Sequence, residues 1–345
     1  MTFNDNFLRS IRKQEIDHIP VWYMRQVGRY QPEYRKVKEK YSLMEICEQP
    51  ELCAQLTMLA VEQLNNDAAI LYSDIMIPVK PMGVDVEIKA GIGPVIDNPV
   101  KTIADVERLR PLEPETDLPK TIETIQILKR DLNVPLIGFA GAPFTLASYI
   151  VEGGPSRNYY KTKNMMYSAP DVWNALMDKL GDMIITYMRA QVAAGASAVQ
   201  IFDSWVGSLS PSDYRKFVFP TMKRIFEGLS DLDAPKIYFG VGTGELLKIF
   251  GELAVDVVGV DWRVPLNEAR ERTGGKALQG NIDPAYLNAP TEVMLEEAKR
   301  ILDLGMEQPG YVFNLGHGVF PEADGEKLKQ LTAFVHEYSA RRLKG

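Results

Sequence analysis

The chain has 345 residues, 46% of them hydrophobic, and a formal charge of −7 at neutral pH. That length and apolar content suit one elaborated catalytic domain, residues 1–345, with no linker, repeat or low-complexity tract to divide it. The acidic balance argues against nucleic acid as a partner, and any polyanionic ligand would need a local basic site that overcomes the global field.

The N-terminus, MTFNDNFLRSIRKQEIDHIP, carries charges where a signal peptide needs an apolar core. Residues 19–24, IPVWYM, read as a buried strand, and Arg25 and Arg29 follow directly where that strand should leave the core. If the chain coils there, the two arginines lie one turn apart and can face one ligand. QPEYRKVKEK adds Arg35, Lys36, Lys38 and Lys40, either a solvated helix face or an attractor for anions. Cys47 and Cys53 are too few for a disulfide scaffold. In a helix over 43–65 they would occupy different faces, as buried thiols of a reducing compartment.

Further strands are expected at 68–74, 136–141, 198–204, 236–242, 257–262, 277–283 and 311–317. None shows clean polar alternation, which fits parallel strands covered on both faces. The uncharged run 134–151 is interrupted by prolines and glycines, so it reads as strand, loop and helix start rather than a membrane span. Helices are expected from Trp173 to a stop at Gly195, from Pro211, from a Thr291 cap to Gly305, and over 322–343. Eight strands, each followed by a helix, give a distorted (β/α)8 barrel. Its main insertion is a hairpin-like segment after strand two, VDVEIKAGIGPVI, and VEGGPSRNYYKTKNMMYS forms a second excursion.

Catalytic groups of such barrels lie at the C-terminal strand ends. In chain order these are Arg25 and Arg29, Asp74, Thr145 and Tyr149, Asp203 and Ser204, Asp261, Asn281 and Asp283, and Asn314 and His317. Lys236 and Lys276 precede their strands, at the wrong face for a Schiff-base lysine. Of the histidines only His317 is well placed, so no zinc cluster is expected. GVGTGE departs from GxGxxG and reads as a turn. What remains is a metal-free site with paired arginines, a strand-end aspartate, tyrosine and serine hydroxyls and a histidine, and arginine favours bidentate recognition of carboxylate or phosphate.

PVWYMRQVGR closely resembles the N-terminal signature of the uroporphyrinogen decarboxylase family, with Val27 replacing the usual alanine. IGFAGAPFTLASYIVEGG resembles its second signature, and LYSDIMIP, FDSWVG and NLGHGVFP fit in order. The resemblance spans essentially the whole chain. It implies removal of carbon dioxide from the four acetates of uroporphyrinogen III, giving coproporphyrinogen III, without metal or organic cofactor. Arg25, Gln26, Val27, Gly28 and Arg29 would form the carboxylate-binding segment, and Asp74 would face the pyrrole N–H groups. Tyr149, Ser204 and His317 would contact propionates and acetates. Asp74 and Arg25 are the expected catalytic pair, with the proton donor undecided. A cytoplasmic enzyme and a possible homodimer across the catalytic faces are also implied. The rivals are a non-catalytic tetrapyrrole carrier and, within the same fold, a zinc- and corrinoid-dependent methyltransferase.

Overall fold

The computed structural model describes residues 2–89 and 91–344; Ala90, within the expected hairpin, lies outside them. The strands are β1 (Ala69–Ile70), β2 (Val86–Lys89), β3 (Gly93–Ile96), β4 (Leu136–Gly141), β5 (Ala198–Asp203), β6 (Lys236–Gly240), β7 (Val257–Gly259), β8 (Ala277–Ile282) and β9 (Tyr311–Leu315). All except β2 and β3 join one parallel sheet of seven strands, in chain order from β1 to β9. β2 and β3 pair antiparallel with each other, Val86 opposite Ile96.

Parallel strands need helical crossovers, and the sequence supplies them with proline starts and glycine stops. Helix Pro170–Ala194 opens with proline at its first turn and ends at Gly195, whose φ of 133° few other residues adopt. Its Leu176, Met177, Leu180, Ile184, Tyr187 and Met188 are buried, each contributing about 2 kcal/mol of apolar transfer.

The strands segregate their side chains with period two. Ile137, Phe139, Ile237, Phe239, Val257 and Val312 join an interior cluster with Ala69 and Trp22. Their neighbours Tyr238, Val258, Tyr311 and Phe313 join the outer cluster beneath the helices. Residues of the first and last strands share that interior cluster, so the sheet is curled. A polar layer crosses it: Trp22 Nε1 donates to Gln279 Oε1 at 2.9 Å, and Gln279 Nε2 donates to Gln200 Oε1 at 3.0 Å.

Residues 19–24 do not form the expected full strand; only Val21 bridges, in parallel, to Phe313. The segment still spans between β9 and the approach to β1, since Phe313 N donates to Pro20 O at 2.9 Å and Asp67 N to Val21 O at 2.8 Å. Side chains take most of its donors, apart from Trp22 N, which reaches Phe313 O at 3.4 Å. Val21 N bonds Asp67 Oδ2 at 2.8 Å, Tyr23 N bonds Gln26 Oε1 at 3.3 Å and Met24 N bonds Asn314 Oδ1 at 3.1 Å. The strand expected at 68–74 is cut short similarly, as Tyr72 N turns to Thr57 Oγ1.

Pro50 divides the helix expected over 43–65 into Leu43–Cys47 and Pro50–Leu64. The break turns the two cysteines toward each other: both are buried, and contact with Cys53 together with burial raises the Cys47 thiol far above its usual range. Thr291 is not a cap. Pro290 holds that position, and the Thr291 hydroxyl bonds Gln330 Oε1 at 3.4 Å.

Candidate active site

Hydrogen bonding divides the strand-end groups in two. Several are spent on the fold. Thr145 Oγ1 donates to Asp203 Oδ1 at 2.7 Å, and Tyr238 Oη donates to Asp203 Oδ2 at 2.6 Å. Asp261 Oδ2 accepts from Gly242 N and from Arg263 Nη1, both at 2.5 Å. Asn281 Nδ2 donates to two carbonyls, of Asp261 and Val264, and Asp283 caps the turn at Ala285. Asn314 Oδ1 holds Met24 N and Leu315 N, while its buried Nδ2 has no partner among the described residues. These groups shape the mouth of the curled sheet.

The others keep capacity for a ligand. Asp74 Oδ1 accepts from Met76 N at 2.8 Å, leaving Oδ2 open. The side chain is half-buried yet closely surrounded by protein. Desolvation raises its pKa, and the Met76 amide and the nearby Arg25 charge only partly offset this. His317 is also half-buried. Its Nδ1 accepts from Gly318 N at 2.8 Å, so the neutral ring carries its proton on Nε2. Burial, and then the Arg25 charge, lower its pKa below 6.5. Tyr149 packs edge-to-face on Trp205 with centroids 5.9 Å apart, within electrostatic reach of Asp74 and Arg25. Burial raises its hydroxyl pKa, keeping it a neutral donor. Ser204 is half-buried, and its hydroxyl has no hydrogen bond to the described residues.

The arginine segment differs from the coiled turn that the spacing predicts. Residues 24–31 form successive turns, and Arg25 holds φ at 58°, in the left-handed region. For a residue with a Cβ this stores about 1–3 kcal/mol. Asp74, Tyr149 and His317 all feel the charge of Arg25. Arg29, also exposed, acts instead on Tyr34 and Lys38. The two guanidinium groups therefore act on different titratable neighbours. Among the described residues neither makes an ion pair.

Gln26 is turned inward. Fully buried, it accepts from Tyr23 N and Asn66 Nδ2 and donates to Ala68 O, so its side chain braces the segment rather than facing the mouth. Val27 packs partly against the core, and Gly28 N donates to Gln31 Oε1 at 3.0 Å.

Sequence reasoning did not anticipate three features. Trp205 forms an aromatic wall with Tyr149 and Tyr159; it stands inside FDSWVG, but nothing local marks it as lining a site. Gly318 lies against the Arg25 side chain. The third is a cluster of His18, Asp67 and His336, whose potential ligand atoms all fall within 4.8 Å of one another. Histidines 318 positions apart in sequence meet because the chain's beginning and last helix close on the same residue. The cluster lies at the N-terminal strand ends, opposite the mouth. Asp67 is saturated there: Oδ1 accepts from Asn4 Nδ2 and His18 Nε2, Oδ2 from Val21 N and His336 Nε2, all at 2.8–2.9 Å. Those bonds make it a clasp. They hold its pKa far below the usual range despite burial.

The family model described as uroporphyrinogen decarboxylase matches residues 2–338. A uroporphyrinogen decarboxylase of a Geobacillus species is 62% identical over 340 residues, covering 98% of this chain and 99% of that protein. That of Bacillus subtilis is 59% identical over 345 residues, covering 100% of this chain and 98% of that protein. Among solved structures, a methyltransferase from Methanosarcina mazei superposes with a TM-score of 0.80 at 22% identity, over 98% of this chain and 99% of that one. At that identity the likeness speaks for the fold alone. With its arginine-flanked mouth and open Asp74 carboxylate, and with relatives matched over nearly their full length, this chain belongs to the uroporphyrinogen decarboxylase family.

Proposed function

We propose that the chain removes the four acetate carboxyls of uroporphyrinogen III as carbon dioxide, giving coproporphyrinogen III. It does so in one domain, residues 1–345, built as a distorted (β/α)8 barrel in which the bridged segment at Val21 stands for the first strand. The observation that carries the reading is Asp74, a recessed carboxylate with one free oxygen that feels the charge of an unpaired arginine, Arg25, which also acts on the neutral His317.

Each turnover exchanges CO2 for a proton. Protonation of a ring carbon makes the pyrrole cationic. The C–C bond to the carboxylate then breaks, and its electron pair forms an exocyclic double bond that neutralises the ring. Protonation of the exocyclic carbon and loss of the ring proton restore the pyrrole with a methyl group. Asp74 Oδ2 accepts the pyrrole N–H groups and faces the transient cation. At an effective dielectric near 20 and a separation near 4 Å, that attraction is about 4 kcal/mol, roughly a thousandfold in rate. The ligand's N–H groups also favour ionised Asp74, reversing the desolvation that raises its pKa in the free site.

Arg25 positions the acetate being lost, and Arg29 receives a second carboxylate at the rim. Tyr149, Ser204 and neutral His317 donate hydrogen bonds to the remaining side chains. A guanidinium is too weak an acid to be an ordinary proton donor, so Arg25 acts as a holder of charge. The methyltransferase alternative would need thiolate or imidazole ligands at the late strand ends, whereas both cysteines are buried among helices far earlier in the chain. Among the described residues no helix is long and apolar enough to cross a membrane, which fits a cytoplasmic enzyme. Sedimentation at several concentrations tests the homodimer.

The test is Asp74→Asn assayed with reduced uroporphyrinogen. Turnover should fall about a thousandfold with folding intact. Full activity in that variant removes Asp74 from the mechanism.

A further inference from the structure

We propose that Gly318 is a positioning residue that sets Arg25 and His317 together, so one missing side chain and one amide align two of the groups that hold the substrate's carboxylates. The inference rests on the site reading above.

Two independent contacts support it. The Gly318 amide donates to His317 Nδ1 at 2.8 Å, which places the ring proton on Nε2. The missing side chain matters as much. A Cβ at Gly318 would lie 2.6 Å from Arg25 Cδ, 2.9 Å from Cγ and 3.2 Å from Nε. These atoms form the middle of the arginine side chain, so relieving the clash swings the guanidinium. Arg25 cannot retreat through its backbone. Its left-handed φ of 58° is held between Met24, whose carbonyl accepts from Val319 N at 2.8 Å, and Gln26, whose side chain is locked in the core.

Gly318 itself does not occupy the left-handed region, so alanine strains no local backbone there. The substitution perturbs a neighbour instead of its own turn. This differs from the close glycines that meet main chain, such as Gly280, where a Cβ would lie 2.5 Å from Val260 O. At such positions alanine disturbs the fold. At Gly318 it disturbs a functional side chain.

A kinetic double-mutant cycle tests the proposal. Gly318→Ala should lower kcat/KM by roughly a hundredfold, the scale expected for a reacting group misplaced by about 1 Å, with an unchanged melting temperature. In an Arg25→Ala background the clashing side chain is gone, so Gly318→Ala should add less than about twofold. An equal loss in both backgrounds, or no loss in either, overturns the inference. Should Arg25→Ala retain full activity, the reading of Arg25 fails first, and the two failures are told apart. A variant-free readout covers the amide half: ¹⁵N NMR of His317 at neutral pH should show Nε2 protonated and Nδ1 accepting, and an Nδ1–H tautomer contradicts it.

Discussion

Asp203 offers a prediction in which stability and function move in opposite directions. It is completely buried, accepting from Thr145 and Tyr238, with the Tyr214 hydroxyl 3.2 Å behind Tyr238. Those bonds do not compensate for desolvation, which raises its pKa from 3.8 to about 6. The folded protein therefore holds a proton that the unfolded chain has already released in this window. Stability is lost as pH rises through it, by about 3 kcal/mol once the carboxyl ionises fully. Asp203→Asn is neutral throughout, so it lacks this dependence. Urea unfolding of both proteins should show the wild type losing about 2 kcal/mol relative to the variant between about pH 4.5 and about pH 7.5. Charges common to both proteins cancel in that difference. Turnover should fall in the variant, because Thr145 Oγ1 also accepts from Trp205 N at 3.3 Å and so braces the loop carrying Ser204. Stability curves that stay parallel across the range refute the account of Asp203.

Removing the Arg25 charge should raise the His317 pKa, since that charge is the second cause of its depression; an NMR titration in which Arg25→Ala leaves it unmoved contradicts the geometry. Asp67→Ala should destabilise the fold by about 3–5 kcal/mol in denaturant melts, because two imidazoles and a buried amide lose their acceptor at once. A loss below about 0.5 kcal/mol, the scale of an ordinary surface change, would mean that the clasp is not structural. Thiol reagents should leave Cys47 and Cys53 unmodified until the protein unfolds, since both are buried and the Cys47 thiol is held protonated; rapid native labelling contradicts this. Prolonged chelation should leave turnover unchanged, and an activity restored only by added metal would contradict the chemistry proposed.

The later strands were legible because their signal is local. LIGFAG, AVQIFD and ALQGNI are short apolar runs bounded by turns, and each forms a fully or nearly fully buried strand. The beginning of the chain was harder to read. IPVWYM has the composition of a strand, yet the side chains of Asp67, Gln26 and Asn314 capture its amides and leave a single bridge. Asp67 and Asn314 lie far along the chain, and no local pattern announces them. The same limit applies at the site. Residue type and strand-end position single out Arg25, Asp74 and His317 no more than Asp203 and Asp261, and only the hydrogen bonds distinguish the last two, whose carboxylate oxygens are taken up within the fold. Spacing alone does not show that Arg25 and Arg29 act on different protein groups, Asp74, Tyr149 and His317 for the first and Tyr34 and Lys38 for the second. Gly318 gives no sign in sequence, because its contribution is the space it leaves for a residue almost three hundred positions away.

The most direct measurement is chromatographic. Freshly reduced uroporphyrinogen III, incubated with the protein freed of metal, is oxidised at intervals and separated by carboxylate number. The account predicts loss of the eight-carboxylate species, transient seven-, six- and five-carboxylate products, and accumulation of the four-carboxylate porphyrin. Substrate that remains eight-carboxylate while bound to the protein would contradict it and favour a carrier.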